Sequence, residues 1–481
     1  MFSERTSKTR KAPLKLQVCV IGGGFSGLAA AYAIRLAGHD VHVYEAQPGV
    51  EKGYNTAYIP ANLANVLTAW GVYDKAEKLS AVIGAASVKT RSGEYLSKIR
   101  WDEDKSAQLN GSRMRRIFRP ELQSILYDLA TSVGVRVSFS SKVVGVDLDG
   151  PCIILENGDI IDADLLVGAD GSKGPLRRVV LQQEDDTDPL DSRFVQGIIP
   201  TADLKADPLF ADLAVDELRA WLVPDGFCGL NVMGPRNTFF TLTCIFKKSA
   251  AEAATQNGSL TDTLRSVFTG ADPQIIRAIE LAQELEEYMQ LDQLPLQHWY
   301  HESGRLVLTG SACHPIRFPA VQDCALSVED AQVLGYLLSR VSSHDQLPAL
   351  LDGYQEIRQL RCEEVIESEN RLRGAIRARS AQGFSGPPPA PSERRQQGNR
   401  DGKPFEEHFD SSIVEGTSIW DGTPTFQHDA LGEAEHWWKH WGTGDEAEQY
   451  SDEDSGLSGA APEPPASDED GVETSDDEAA S

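Results

Sequence analysis

The stretch LQVCVIGGGFSGLAAAYAIRLAGHDVHVYEA, residues 16–46, decides the fold. LQVCVIGG is a continuous apolar run and predicts a buried strand, residues 25–38 predict a helix, and DVHVYEA predicts a second strand. Strand, helix and strand in this order make a βαβ unit. Between the first strand and the helix stand Gly22, Gly24 and Gly27, spaced as G-x-G-x-x-G. The first glycine permits a tight turn, the second lets backbone approach a pyrophosphate, and the third lets helix pack on strand. Glu45 ends the second strand about 20 residues on, where a carboxylate accepts hydrogen bonds from a ribose. A glycine-rich turn alone is a weak signal. With strand, helix and acidic residue all in place, the segment predicts a dinucleotide site.

The chain around it has 481 residues, more than one ordinary core holds, so two domains plus tails are expected. A net charge of −28 argues against nucleic acid and against anionic membrane surfaces as partners. Residues 445–481 carry fourteen Asp and Glu and no Lys or Arg, so half of that charge belongs to one tail. The seven cysteines are scattered, with no CxxC pair, which reads as reduced thiols rather than a disulfide frame. MFSERTSKTRKAPLK has no apolar core, so secretion is not expected, and a solvated leader fits better than a transit peptide because a strand begins near residue 16. No run reaches the roughly 18 apolar residues of a membrane span, and a soluble, cytoplasmic protein is the expectation.

Two further junctions carry chemistry. ADLLVGADGSKGPLRR (163–178) is a strand ending in Asp170-Gly171, with Arg177 six residues on. GRLVLTGSACHPIRFPAVQDCALSVEDAQVLGYLLS (304–339) joins a strand, a turn holding Gly310, Ser311 and His314, and a helix beginning near Asp323. Such tight strand–turn–helix junctions present backbone N–H groups to a ligand.

In this order the three segments resemble the FAD-dependent aromatic monooxygenases of the salicylate hydroxylase-like type, in the variety found in fungal secondary metabolism. Those proteins carry a GxGxxG, a DG fingerprint and a late GDAxHPxxPxxxQGxxxxxEDA segment. The likeness runs from about residue 16 to 380 and extends to EAEHWWKHWGTGDEAE near the end. It implies an α/β fold: a Rossmann-like FAD-binding domain with an inserted mixed β-sheet substrate domain. It also implies FAD, NAD(P)H as reductant, and O2 reacting through a flavin hydroperoxide to hydroxylate a small aromatic or polyketide-like substrate. Carried over residue by residue, Gly22, Gly24, Gly27 and Glu45 match the ADP-binding part, and Arg119 in FRPELQSIL matches the arginine of a helix along the cofactor. Asp170 and Gly171 match the DG fingerprint, and Gly310, Ser311, Val321 and Asp323 match the segment where ribityl chain and flavin ring meet the protein. No second glycine fingerprint exists for the nicotinamide, as in this family.

The expected layout is a disordered leader (1–14), a first part of the FAD-binding domain (15–190) and a substrate domain (191–298). The second part of the FAD-binding domain (299–383) follows and includes one long amphipathic helix, about 347–380, then a Pro/Gly-rich linker (384–432), a Trp-rich docking segment (433–449) and a disordered acidic tail (450–481). IIRAIELAQELEEYM, residues 275–289, reads as a helical stretch. Ser451, Ser467 and Ser475 precede acids, which suits an acidophilic kinase as a partner. His436 and His440 are four apart, but no third ligand is near, so no metal is expected.

Departures from the pattern concentrate on the flavin and substrate side. Ser311 replaces a ribityl-binding aspartate, and a neutral hydrogen bond is weaker than a charge-assisted one by about 1 kcal/mol. Asp323 replaces a glycine: it either caps the helix or sets a carboxylate beside the flavin pyrimidine ring. Gln196 and Asn231 stand where some fungal relatives hold a substrate phenolate with arginine and tyrosine. His314 reads as a structural turn histidine. Three functions therefore stay open: a monooxygenase, a flavoprotein that has lost oxygenation and runs an oxidation, isomerisation or cyclisation, and a non-catalytic interaction protein.

Overall fold

The strand at the centre of the opening segment, Gln17–Ile21, is buried on both faces, which is why its sequence is a continuous apolar run rather than an alternating one. In the computed structural model it lies inside a five-stranded parallel sheet, ordered Leu306–Leu308, Leu165–Gly168, Gln17–Ile21, Asp40–Tyr44, Arg136–Ser138. The structure describes residues 10–100, 113–183, 190–223, 226–252, 258–288, 293, 295–317, 320–381 and 426–442. Most of the leader, most of the linker and the acidic tail with its three serines lie outside these residues.

Register fixes where a ligand meets this sheet. Ile21 pairs with Gly168 and with Tyr44, and Gly168 pairs with Leu308. Four adjacent strands therefore end level, and the loops leaving them carry Gly22, Glu45, Asp170 and Gly310 to one edge. This carboxyl edge is where open α/β sheets bind ligands.

Two helices pack side by side on the sheet. The first, Phe25–Leu36, follows the glycine loop; the second, Asp323–Leu338, ends the junction segment. Ser26 donates to Ser327 at 3.0 Å near their N-termini, and a Cβ on Gly335 would stand 2.9 Å from the Ala33 carbonyl carbon farther along. The helices are thus parallel, and both N-termini face the ligand edge.

The second sheet has seven strands, ordered Gln283–Tyr288, Ser192–Pro200, Phe239–Lys247, Gly226–Met233, Glu217–Val223, Ala85–Thr90, Tyr95–Arg100. Alternation gives it two different faces. Val195, Leu242, Cys244, Leu230 and Trp221 point to one side and form an apolar core with the helices Leu260–Val267 and Pro273–Leu281. Gln196, Thr241, Thr243 and Asn231 share the opposite face, buried but polar. A short three-stranded sheet, Thr56–Ile59, Arg115–Phe118 and Ala81–Val82, is a third unit of pairing.

The helix expected over 275–289 stops at Leu281, and QELEEY becomes an edge strand against Ser192–Pro200. Glu284 takes a left-handed φ of 48°, which no helix continues through. Pairing with an available sheet edge overrides the helix preference of Glu and Leu.

One ionic knot holds the junction. Arg358, on the helix Leu347–Ala381, donates to Asp330 Oδ1 and Glu329 Oε2 at 2.9 Å each, with all three side chains buried. Asp330 Oδ2 also accepts the Gly310 N–H at 3.0 Å and meets His314 Nε2 at 2.5 Å. Burial would raise the Asp330 carboxyl, but His314 and Arg358 pull it down to about 2. Burial opposes charge on His314, yet the Asp330 carboxylate wins and raises its pKa well above the usual value. Asp330, His314 and Cys313 are close enough to hold a cation, but Asp330 is already committed to Arg358, and a structural role follows for His314. Arg358→Met keeps the volume and strands two buried carboxylates. Urea unfolding at pH 7 is expected to show a loss of about 3–5 kcal/mol. A loss below about 1 kcal/mol would mean that His314 and Arg361 neutralise Glu329 and Asp330 unaided.

Candidate functional site

The glycine loop has the three geometries its sequence requires. Gly22 has φ +106°, and a Cβ there would stand 2.4 Å from the Ala169 carbonyl oxygen. A Cβ on Gly27 would stand 1.9 Å from the Gly22 oxygen, so helix and loop touch. Around Gly24 nothing lies within 4 Å of where a Cβ would be, and the backbone faces open space. The helix begins there with no side-chain cap and no acidic residue in its first turn, leaving its N–H groups for an anion.

Glu45 is already engaged. Its Oε2 accepts the Gly23 N–H at 2.6 Å and its Oε1 accepts the Gln47 N–H at 2.7 Å, so it braces the loop while each oxygen keeps a lone pair for a ribose. Gln123, which sequence reading passed over, donates to the Gly23 carbonyl at 2.7 Å and accepts from the Glu51 N–H at 3.0 Å. It joins the loop to the helix Arg119–Ser132.

Asp170 sits behind Gly22 and accepts the Leu176 N–H at 3.0 Å through Oδ2, while Oδ1 is buried with no partner. Burial pushes its pKa up to about 6. An unpartnered acceptor at the ligand edge fits the hydroxyl groups of a cofactor. Gly171 has φ +78°, which suits the turn. Arg177 is turned away from this edge, toward the Ala312 carbonyl at 2.7 Å, and ties the DG loop to the Gly310 turn. Gly310, at φ +62°, lies so close to Ser26 that a Cβ would stand 2.0 Å from its Oγ.

These loops open on a cavity of about 330 Å³. Arg119, Ser311, Val321 and Asp323 line it from the first-sheet side, together with Thr56 and Tyr58. Phe194 and Tyr288, whose rings lie 5.3 Å apart, line it from the second sheet. Asp323 opens its helix, but Gln322 holds the N-cap position without a side-chain cap bond, so Asp323 is not the cap. Its Oδ2 instead accepts from Arg119 Nη1 at 2.6 Å. The carboxylate does reach the cavity, but as half of an ion pair. Val321 is anchored by its N–H to Glu369 Oε1 at 3.1 Å, and it packs with Ala61 and Phe426. Tyr288 donates to Glu286 at 2.5 Å; burial and that bond raise its pKa, so it stays a phenol.

Gln196 and Asn231 are buried on the polar sheet face, each with an unpartnered carbonyl oxygen. Neither is among the residues lining the cavity, whereas Thr56, which bonds Gln196, is. His436 and His440 stack at 4.1 Å on the helix Ala430–Trp441, and among the described residues no third ligand joins them. All seven cysteines are free and buried. Among the described residues, no helix is long and apolar enough to cross a membrane.

An FAD binding domain family matches residues 15–369, and the chain belongs to it. Its relatives place it among the FAD-dependent monooxygenases. FAD-dependent monooxygenase OpS4 of Beauveria bassiana is 28% identical over 74% of this chain and 84% of its own length. Hispidin-3-hydroxylase of Neonothopanus nambi is 26% identical over 73% of this chain and 86% of its own. 6-Hydroxynicotinate 3-monooxygenase of Bordetella bronchiseptica is 25% identical over 75% and 92%. The fold is shared with crystalline FqzB (TM-score 0.70, 19% identity, 90% of this chain and 94% of that one). It is also shared with Klebsiella pneumoniae HpxO complexed with FAD and uric acid (TM-score 0.63, 22% identity, 76% and 90%).

Asp170 generates a test with a definite sign. Its native carboxyl titrates near pH 6, against about 3.9 when unfolded, so the native state binds the extra proton and stability falls as pH rises between those values. Asp170→Asn should remove that slope and leave the FAD-free protein more stable at pH 7 by on the order of 2–3 kcal/mol, with no gain at pH 4. The same variant should bind FAD more weakly. Thermal melts across pH and an FAD titration check both halves.

Proposed function

We propose that this protein is an FAD-dependent monooxygenase that takes electrons from NAD(P)H and uses O2 to hydroxylate an aromatic or polyketide-like small molecule. The observation that carries the reading is the cavity itself. It is walled on one side by loops from the carboxyl edge of the parallel sheet and on the other by aromatic residues of the second sheet, so one space meets both a cofactor edge and a substrate surface.

When bound, FAD supplies the redox chemistry that accepts electrons from a nicotinamide and activates oxygen. The residues fitted to hold it are the glycine loop, Glu45, Asp170, Arg119, and the turn through Gly310 and Ser311. Two helix N-termini converge there, and their N–H groups favour negative charge on phosphates or on a reduced ring. Phe194, Tyr288 and Tyr58 give a planar substrate its apolar walls. His314 takes no part in proton transfer in this reading, being fixed to Asp330. Purified protein should be yellow, and NADPH should bleach it faster when a substrate is present. Protein that carries FAD but never oxidises NADPH would favour the flavoprotein that has lost oxygenation.

Asp323 is the residue that favours that second reading, because a carboxylate opposes charge on a reduced ring. Its pairing with Arg119 softens the effect. Asp323→Asn leaves Arg119 unpaired at the cavity, so the flavin potential is expected to rise by roughly 30 mV or more, the equivalent of about 1.4 kcal/mol for a two-electron couple. Spectroelectrochemical titration of both proteins measures it. An unchanged potential would place the pair away from the ring.

A further inference from the structure

Among the described residues, four arginines are fully buried: Arg116, Arg177, Arg219 and Arg358. Arg358 is held by Glu329 and Asp330, and Arg219 by Glu217 and Asp212. Arg177 bonds the Ala312 carbonyl. Arg116 differs. It is 1% exposed, its Nε and Nη1 have no hydrogen-bond partner, and no carboxylate pairs with it among the described residues. Its guanidinium lies 4.7 Å from the centre of the Tyr58 ring, and its one hydrogen bond runs from Nη2 to Thr56 Oγ1. A buried cation with neither a counter-charge nor full hydrogen bonding is costly, and such groups are kept when something completes them.

The strand positions show how it reaches the cavity. Arg116 faces Tyr58 across the pairing of Thr56–Ile59 with Arg115–Phe118. Thr56 lies between Arg116 and the cavity, which it lines. Its hydroxyl oxygen accepts from Arg116, and Gln196 Nε2 lies 3.4 Å from the same oxygen. With both lone pairs facing donors, the hydroxyl proton is free for a third partner, and Thr56 lines the cavity. A positive charge behind a hydroxyl makes that hydroxyl a stronger donor. The guanidinium itself is shielded, so a ligand meets one O–H and not a two-pronged cation. That fits a single oxygen anion better than a carboxylate.

We propose that Thr56, polarised by Arg116 and aligned by Gln196, is the donor that selects a planar substrate in the form of its ring oxyanion. The proposal rests on the function read above and adds the residues that set the ionic form of the substrate in this chain. Thr56 touches the substrate; Arg116 and Gln196 act through it as positioning residues. The site takes over the place of the arginine and tyrosine missing at Gln196 and Asn231, with the charge moved one layer back.

The test uses the FAD-loaded protein and two probes, 4-nitrophenol, which ionises with a colour change, and 4-nitroanisole, which cannot ionise. Wild type is expected to bind 4-nitrophenol as the phenolate and to lower its apparent pKa on binding, and to bind 4-nitroanisole at least about tenfold more weakly. Thr56→Val keeps the shape and removes the O–H, and should abolish that preference while leaving bound flavin and 4-nitroanisole affinity unchanged. Arg116→Gln keeps a donor toward Thr56 without the charge. It should lose the pKa shift of the probe but retain some binding, which a merely structural arginine would not produce. The idea is overturned if wild type shows no preference for the ionised phenol, or if Thr56→Val keeps it. Flavin content and NADPH oxidation are read in the same samples. A protein that is yellow and oxidises NADPH but shows no phenolate preference would sink this inference alone, and a colourless protein would sink the functional reading.

Discussion

The bond from Arg358 to Glu329 and Asp330 is the constraint on which the ligand edge depends. Arg358 belongs to the long helix Leu347–Ala381, the two acids belong to the helix Asp323–Leu338, and Asp330 reaches on to the Gly310 N–H and His314. Three successive elements of the chain are thus fixed by one cluster of charges. Buried ion pairs contribute little net stability against an apolar alternative, but they are unforgiving of geometry. The turn that carries Ser311 can hold only one position while Asp330 holds its backbone. Asn62 adds to the same cluster by donating to Glu329 at 2.7 Å and to Gln322 at 2.9 Å, which sets the start of the junction helix as well. His428, from the chain beyond the long helix, lies 3.7 Å from Glu329, and burial lowers its pKa to about 4.

The opening βαβ unit is legible from sequence because each of its features is local. An apolar run, three glycines at fixed spacing and an acid at a strand end need no distant partner to be read. The long helix over 347–380 is equally plain and is found at Leu347–Ala381, since a repeat of apolar residues over ten turns has no alternative. QELEEY misleads for the converse reason. Nothing inside it favours a strand, and the sheet edge that recruits it is formed by residues about 90 positions earlier. Thr56–Ile59 hides likewise, because four residues between Gly53-Tyr54-Asn55 and a proline carry too little pattern.

Reading the candidate site divides along the same line. The glycine loop, Glu45 and the DG turn are sequence motifs, and level strand ends bring them to one edge. The bond between Asp323 and Arg119 joins positions 204 apart, so sequence could frame only two roles for Asp323, cap or flavin neighbour. An ion pair facing the cavity is a third. Gln123 had a faint signal, lying one turn after Arg119 in RPELQ, on the face that meets the glycine loop. Arg116 had none. RMRRIF offers three arginines, and only antiparallel pairing against Thr56–Ile59 buries the last of them while Arg115 goes to Ser80 and Glu77.

Charge distribution gives these details a common sense. A chain of net charge −28 would repel anionic cofactors and substrates if its acids were evenly spread, yet half of that charge lies in one terminal stretch. Around the cavity the balance reverses. Arg119, Lys173 and Arg317 line it against Asp323, and Arg116 stands one layer behind. Two helix N-termini add partial positive charge to the same side. Opposite placement of the two signs lets a strongly acidic protein keep a locally cationic pocket. The substitution of Ser311 for a carboxylate then has a second effect besides a weaker hydrogen bond. It removes one negative charge from the cavity wall, which offsets the one that Asp323 adds beside Arg119. The two departures from the family pattern are therefore better understood as a transfer of one carboxylate from the turn to the helix start than as two separate losses.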